Sequence, residues 1–547
     1  MVAFGLSPAG VAVATAFFAL SLLPSLLPRA PYIQGLVSGI TMMVGYGIGV
    51  GGHWLWSYLQ IPPLTGTARR VALGVTVGSI GLALLVAVWQ QVGWQNEVRT
   101  LFHLGATSPI TWPVIIVVTL MVAGVILLVA RSIRLLFGFF VRLLTRRMPR
   151  RLAAVLGGAA AIVVVWLLVT GLLVRGFFDA ANALSSTRDG TTDPGVIEPG
   201  SSLRSGSPQS LVRWDTLGRE GRRFVATGPT VEQLDAFSGG GAVEPIRVYA
   251  GLKSASTPQA RADLLLKELQ RTGAFQRKIL VVASTTGTGW LDPAGVDPLE
   301  YLFNGDTAIA GAQYSYLPSW ISLLADQDAV KRTSKVVFDT IHSYWATLPP
   351  TSRPQLYLYG LSLGAYGVES VLSSIDIINE PVDGALMSGP PFFNALHSEI
   401  ETRRQPGTPP WQPIYDGGRT VRFTAEQVSP DLAKAPWGPT RIVYLQHASD
   451  PVVVFSPDLA FKRPDWLQPG QRGPDVPSRM SWIPLVTMWQ VAADLPTAGS
   501  VPAGYGHVYS RRANLQAWVA MTQPPGWSDD KTQQLADLMD HTLYPGE

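Results

Sequence analysis

Gly360-Leu-Ser362-Leu-Gly364 places a hydroxyl between two residues that lack a Cβ, directly after the apolar, aromatic run 356–359, Leu-Tyr-Leu-Tyr. Strand, tight turn and helix in that order make a nucleophile elbow, with the serine at the apex and the helix aiming its first N–H groups at whatever the serine binds. Gly360 and Gly364 are expected where the backbone doubles back too closely for a side chain. With 54 glycines in 547 residues the G-x-S-x-G pattern alone is weak, and the apolar strand before it gives it weight.

A serine hydroxyl needs a base to take its proton and an acid to orient that base, and on a strand-turn-helix elbow these follow in the order Ser, then Asp or Glu, then His. Asp450 comes directly after RIVYLQHAS, where a late strand ends, and His507 sits in the glycine-bearing loop GYGHVY before a closing helix. Asp458 and Asp465 are the alternative acids, whereas Asp383 begins a strand and points from the opposite edge of a sheet. Of the other histidines after the serine, His397 falls in a presumed cap, His447 lies three residues before the acid, and His541 is in the terminal helix.

The expected chemistry is attack of Ser362 on an ester carbonyl, with His507 as base and Asp450 holding its tautomer, through an acyl-enzyme that water releases. Two backbone donors are needed for the oxyanion. Leu363 N–H follows the nucleophile, and Thr288 N–H comes from Thr-Gly-Thr-Gly-Trp at 286–290, which otherwise reads as a plain turn. No cofactor and no metal is called for: the chain has no cysteine, and T-G-T-G lacks the G-K-[ST] ending of a phosphate loop.

Those groups must be held by a sheet. Beyond residue 241, strand-like runs at 246–250, 278–284, 307–313, 355–359, 382–387, 441–446 and 482–491 alternate with helix-like runs at 259–271, 321–348, 513–522 and 531–543. That alternation predicts a mostly parallel sheet with helices on both faces, in the order of an α/β-hydrolase. Residues 388–440 are rich in Pro and Gly and are expected to form a cap inserted over the site. The domains expected are 1–179, 180–241 as a linker or surface-hugging arm, and 242–547 as the hydrolase.

The first 179 residues are of another kind. The whole chain is 47% apolar and 15% charged, and its mean hydropathy of +0.21 is high for a soluble protein. Apolar runs at 8–27, 33–59, 71–89, 110–130 and 152–174 are each long enough to cross a bilayer, predicting five transmembrane helices. Trp54, Trp56, Trp89, Trp94 and Trp112 fall near their ends, as an aromatic belt would. Arg69, Arg70 and the arginines at 131–151 lie in loops on one side, so the amino terminus is expected in the cytoplasm and the hydrolase domain outside the plasma membrane. A short apolar, aromatic run at 135–144 reads as a helix lying in the inner interface. Through residue 179 there are 12 Lys and Arg against 2 Asp and Glu, and beyond it 30 against 36, so the basicity belongs to membrane loops and not to a nucleic-acid-binding face.

Several stretches together resemble an actinobacterial family of membrane-anchored α/β-hydrolases with a multi-span N-terminal domain. They are SLLPSLLPR at 21–29, LGREGRRFV at 217–225, TGTGWLDP at 286–293, YSYLPSW at 314–320 and the elbow. The resemblance implies a serine ester hydrolase whose relatives include enzymes that remove amino acids from lipids such as alanyl-phosphatidylglycerol or alanyl-diacylglycerol, with Ser362, Asp450 and His507 in the catalytic positions. The expected partners are a lipid ester and the bilayer. Acyl transfer by the same triad and a non-catalytic membrane scaffold are the competing readings. Trp320, Trp345, Trp411, Trp437 and Trp466 serve either core packing or contact with the interface.

Overall fold

A computed structural model describes residues 6–541 apart from 109–110, 326, 374–376, 378–379 and 427–432. Residue 110, where the fourth apolar run was expected to begin, and residue 543, the expected end of the last helix, lie outside the described residues. Two compact units emerge: Met1–Asp179 with Phe455–Pro469 and Pro474–Thr497, and Ala180–Val454 with Gly470–Gly473 and Ala498–Glu547.

Four helices of the amino-terminal region are long and apolar enough to cross a membrane: Pro31–Tyr58, Gly66–Leu101, Trp112–Leu144 and Arg150–Asp189. The fifth expected span is the shorter helix Pro8–Ser21, of 14 residues. Small residues four apart let helix backbones approach closely. A Cβ added at Gly35 would lie 2.7 Å from Val118, one at Gly39 2.7 Å from Val122, and one at Gly45 2.8 Å from Phe17. Residues 135–144 do not form a separate interfacial helix. They continue Trp112–Leu144, because no proline interrupts the hydrogen-bond ladder there.

The second unit is built on seven strands: β1 (Ile246–Ala250), β2 (Ile279–Ser284), β3 (Thr307–Ala312), β4 (Gln355–Leu361), β5 (Gly384–Ser388), β6 (Val421–Thr424) and β7 (Arg441–Leu445). They are ordered β1-β3-β2-β4-β5-β7-β6, with every pair parallel. Side chains alternate across β4: Leu356 and Leu358 enter one core, Tyr357, Tyr359 and Leu361 the other. A parallel sheet covered on both faces requires such continuous apolarity. Strand order reverses between β2 and β4, and open parallel sheets bind ligands beyond the strand ends at that switch. The Thr286–Trp290 loop and Ser362 leave from those two ends.

Two further elements differ from expectation. Residues 482–491 form no strand; helix Val486–Asp494 occupies most of them, in the first unit. The run Trp-Ile-Pro-Leu-Val-Thr-Met-Trp-Gln-Val is apolar by either period, and a burial partner among the apolar helices, not the sheet, decides between them. Within 388–440, Val421–Thr424 adds a seventh strand at the sheet's edge.

The arm 180–241 is packed down locally. Arg204 bridges to Arg247 on β1, and Arg247 is buried against Asp297 at 2.5 Å and Glu300 at 2.6 Å. That cluster ties the arm, the sheet edge and helix Pro293–Leu302 together.

Candidate active site

Ser362 follows β4 with φ 57° and ψ −124°, a conformation that L side chains rarely adopt. Such strain costs on the order of 1–3 kcal/mol and persists only where the surroundings enforce it. Here they do. A Cβ on Gly360 would lie 2.3 Å from the Gly364 carbonyl, and one on Gly364 would lie 2.3 Å from Ser284 O at the end of β2. The close approach is what demands glycine, since neither residue has a positive φ. Gly364→Ala is expected to cost at least about 1–3 kcal/mol by overpacking against backbone and to slow modification of Ser362 by a fluorophosphonate. An unchanged thermal midpoint with unchanged modification would show that the turn tolerates a methyl group.

The turn is fastened sideways by Ser362 N–H donating to Ser388 O at 2.9 Å. The next residue, Gly389, seats the His507 ring: a Cβ there would lie 2.5 Å from Cε1. The end of β5 thereby carries both the serine's amide bond and the imidazole. Helix Leu363–Leu372 begins immediately after the serine, so Leu363 N–H is one of the first-turn amides without an acceptor inside the helix.

His507 Nδ1 lies 2.6 Å from Asp450 Oδ2, and the imidazole Nε2 is buried with no hydrogen-bond partner. With the carboxylate as acceptor, Nδ1 carries the proton and Nε2 presents a lone pair. Asp450 is fully buried. Its Oδ2 also accepts from Tyr509 OH at 2.6 Å, and its Oδ1 from Val452 N–H at 2.8 Å. Asp458 and Asp465 lie in the short helical turns Pro457–Ala460 and Asp465–Leu467, which belong to the first unit, and Asp383 accepts from Leu356 N–H at the opposite end of the sheet.

Three residues that were given no role in the sequence reading shape this site. His447 Nδ1 donates to Gly506 O at 2.9 Å, Ser449 Oγ accepts from Gly506 N–H at 3.0 Å, and Tyr509 stacks on His447 at 4.4 Å. Together they lash the 504–509 loop to the 447–450 loop. The sequence signal was present only as proximity: each is within three residues of Asp450 or His507.

The loop after β2 has most of its amides engaged. Thr286 N–H bonds Trp290 O at 3.0 Å, Gly287 N–H bonds Ser319 Oγ at 3.1 Å, and Gly289 N–H bonds Thr286 O at 3.0 Å. Among the described residues Thr288 N–H has no acceptor, while Thr288 O accepts from Gln313 Nε2 at 3.0 Å. Thr286 and Thr288 line a cleft of about 440 Å³ with Arg188, Arg219, Arg223 and Trp290. The carbonyls that touch the elbow glycine belong instead to Ser284 and Thr285.

A family pattern described as an alpha/beta-hydrolase family matches residues 246–535, and the pattern for that family's N-terminal part matches residues 22–229. The chain belongs to this alpha/beta-hydrolase family. It is a hydrolase with a distinct N-terminal portion, and the matched 246–535 contains the elbow, Asp450 and His507. No curated protein matches it, and no solved structure does.

In this hydrolase, the segment that follows β5 is pinned by Glu369 from the elbow helix. Its carboxylate accepts from Leu396 N–H at 2.6 Å, His397 N–H at 3.3 Å, Asn394 Nδ2 at 3.0 Å and Tyr444 OH at 3.0 Å. Burial raises the carboxyl's pKa against these bonds. His397, buried beside Gln446, is pushed down to about 4 by burial. An unfolded histidine titrates near 6.5, so the unfolded chain takes the proton first. The His397 contribution is complete above about pH 6.5 and is lost as pH falls toward 4, up to about 3 kcal/mol. Because Glu369 shifts the opposite way, the check is the stability difference between wild type and His397→Gln. That difference should shrink through this window; a flat difference would contradict it.

Proposed function

We propose that this hydrolase is a serine esterase acting on a lipid ester at the outer face of the plasma membrane, with an aminoacylated lipid as substrate. The observation that carries the reading is the Asp450–His507 pair, whose free Nε2 is buried beside the strand end that fixes the strained Ser362. Ser362 Oγ attacks the ester carbon while its proton moves to His507 Nε2, and the new imidazolium is stabilised by Asp450. The C–O bond to the lipid alcohol then breaks, and His507 returns the proton to that oxygen. Water, deprotonated by the same nitrogen, attacks the acyl-enzyme; the bond to Ser362 Oγ breaks, His507 returns the proton to that oxygen, and the acid or amino acid is released.

Leu363 N–H and Thr288 N–H are the proposed oxyanion donors, each worth on the order of 10² to 10³ in rate where one such donor has been removed from a hydrolase. The aminoacyl lipid comes from the resemblance noted above, with alanyl-phosphatidylglycerol and alanyl-diacylglycerol as the two forms. A site tethered to the bilayer meets such substrates at high effective concentration. The outward placement rests on the arginine-rich loops, and proteolysis of the carboxyl half in spheroplasts checks it.

The deciding experiment presents the full chain in lipid nanodiscs with alanyl-phosphatidylglycerol or alanyl-diacylglycerol. Release of free alanine that Ser362→Ala lacks supports the reading. An ester product that forms only with an added hydroxyl acceptor would make the protein an acyltransferase, and no fluorophosphonate adduct at Ser362 would leave it a scaffold.

A further inference from the structure

The stretches LGREGRRFV at 217–225 and YSYLPSW at 314–320 supply no group to the ester chemistry. Both meet the Thr286–Trp290 loop in the cleft of about 440 Å³, to which the first brings Arg219, Glu220 and Arg223 and the second Tyr316 and Ser319. Every one of these groups lies within the sheet unit. The volume is that of a ligand pocket, which runs from roughly 300 to 1,000 Å³. A single network of buried groups ties its walls together. Asp189 Oδ1 accepts from Gln313 Nε2 at 2.9 Å and from Arg219 N–H at 3.2 Å, and Gln313 Nε2 also donates to Thr288 O at 3.0 Å. Gly218 has φ +74°, and a Cβ there would lie 2.7 Å from the same carboxylate oxygen. The cleft is therefore shaped before any ligand enters.

What the cleft lacks is acceptors for its donors. Arg219 is engaged, with Nε on Asp193 Oδ1 at 2.8 Å and Nη1 on Glu220 Oε1 at 2.9 Å. Arg188 and Arg223 form no ion pair among the described residues, and Arg223 Nε and Trp290 Nε1 are buried with no hydrogen-bond partner. Burial raises the Glu220 carboxyl above its ordinary value, which lessens the negative charge beside these donors. Unpaired donors in a buried polar site cost free energy until an acceptor arrives. A phosphate diester brings acceptor oxygens and a negative charge in one group, and the planar guanidinium fork matches it with parallel hydrogen bonds.

We propose that this cleft is a subsite for the phosphate of a lipid headgroup, bound by Arg188, Arg223 and the Trp290 N–H. The proposal rests on the esterase reading above and chooses between its two substrate forms. Alanyl-phosphatidylglycerol carries a phosphate one glycerol away from the scissile ester, and alanyl-diacylglycerol carries none. The loop after β2 makes the link. At its root the Ser284 carbonyl crowds Gly364 of the elbow, and further along Thr288, whose N–H is the proposed oxyanion donor, lines the cleft. With the ester oxygen at Thr288 N–H, the headgroup glycerol spans from that donor to the arginines. Arg188 and Arg223 are specificity-determining residues and touch no reacting atom.

The test uses the full chain in dodecyl maltoside, a detergent without phosphate, with each alanyl lipid presented in mixed micelles. The wild type should hydrolyse alanyl-phosphatidylglycerol with the higher kcat/KM. Arg223→Gln and Arg188→Gln should each lower the ratio of kcat/KM for the phospholipid to that for the neutral lipid by about ten- to a hundredfold, mainly through KM. A wild-type ratio in the folded variants would overturn the proposal. Arg188 is exposed, so its variant decides alone if Arg223→Gln does not accumulate. Calorimetry with glycerophosphoglycerol, the headgroup without acyl chains, gives a readout that needs no hydrolysis. It should bind wild type and Ser362→Ala alike and lose about tenfold or more in affinity in either arginine variant. If inorganic phosphate binds with the same arginine dependence while the wild type prefers neither lipid, the cleft is a site for free phosphate and the headgroup assignment is overturned. Should the wild type hydrolyse no ester, the esterase reading falls, and glycerophosphoglycerol binding still decides the subsite.

Discussion

Ser362→Ala is expected to lower kcat for a soluble ester on the order of 10⁶-fold while leaving the protein folded. The hydroxyl is the group held at the turn between β4 and its helix, and an alanine fills the same space in the same strained backbone. Because serine and histidine act as one unit, adding His507→Ala to Ser362→Ala should cost almost nothing further. Burst or steady-state hydrolysis measured beside fluorophosphonate labelling checks both statements. Retention of more than a small fraction of wild-type turnover by Ser362→Ala would remove the serine from the mechanism.

Asp450→Asn should lower kcat by about 10⁴-fold with KM little changed. Asp450 Oδ2 accepts from both His507 Nδ1 and Tyr509 OH, and Oδ1 accepts from Val452 N–H. An amide at this position has one acceptor oxygen for three donors, and its NH₂ can meet His507 only by donating to Nδ1. That bond moves the ring proton to Nε2, the nitrogen required to accept the serine's proton. The fold should survive, since shape and burial are kept. A variant with near wild-type turnover would show that another carboxylate orients the base.

Much of the frame was legible from residue types. Six of the seven strands fall where short apolar runs alternate with amphipathic stretches, and the ends of β4 and β7 locate Ser362 and Asp450. The edge strand Val421–Thr424 escaped notice because four residues with Arg422 at the centre show no period, and it is fixed only by pairing with β7. The helix Val486–Asp494 was misread as a strand because its apolar faces are matched to helices far away in sequence, a partner that periodicity cannot reveal. Leu135–Leu144 was cut from its helix because Arg142, Arg146 and Arg147 near its end suggested an interface, whereas Trp112–Leu144 runs on unbroken.

Within the site, residue chemistry pointed to the three polar side chains and missed their supports. Tyr509 acts through a hydroxyl bond to Asp450 and a stack on His447, and His447 and Ser449 act through the backbone of Gly506, contacts that carry no sequence pattern of their own.

Gly389 has φ +55°, and a Cβ there would lie 2.5 Å from His507 Cε1 and 2.9 Å from its Nδ1. It bears no functional group, so a search for reactive side chains passes over it. Any larger residue would nonetheless push the ring off its carboxylate while the sheet beneath stayed intact. A mutational scan of this enzyme should therefore record a silent, side-chain-free position among its inactivating hits, where what matters is the room left empty.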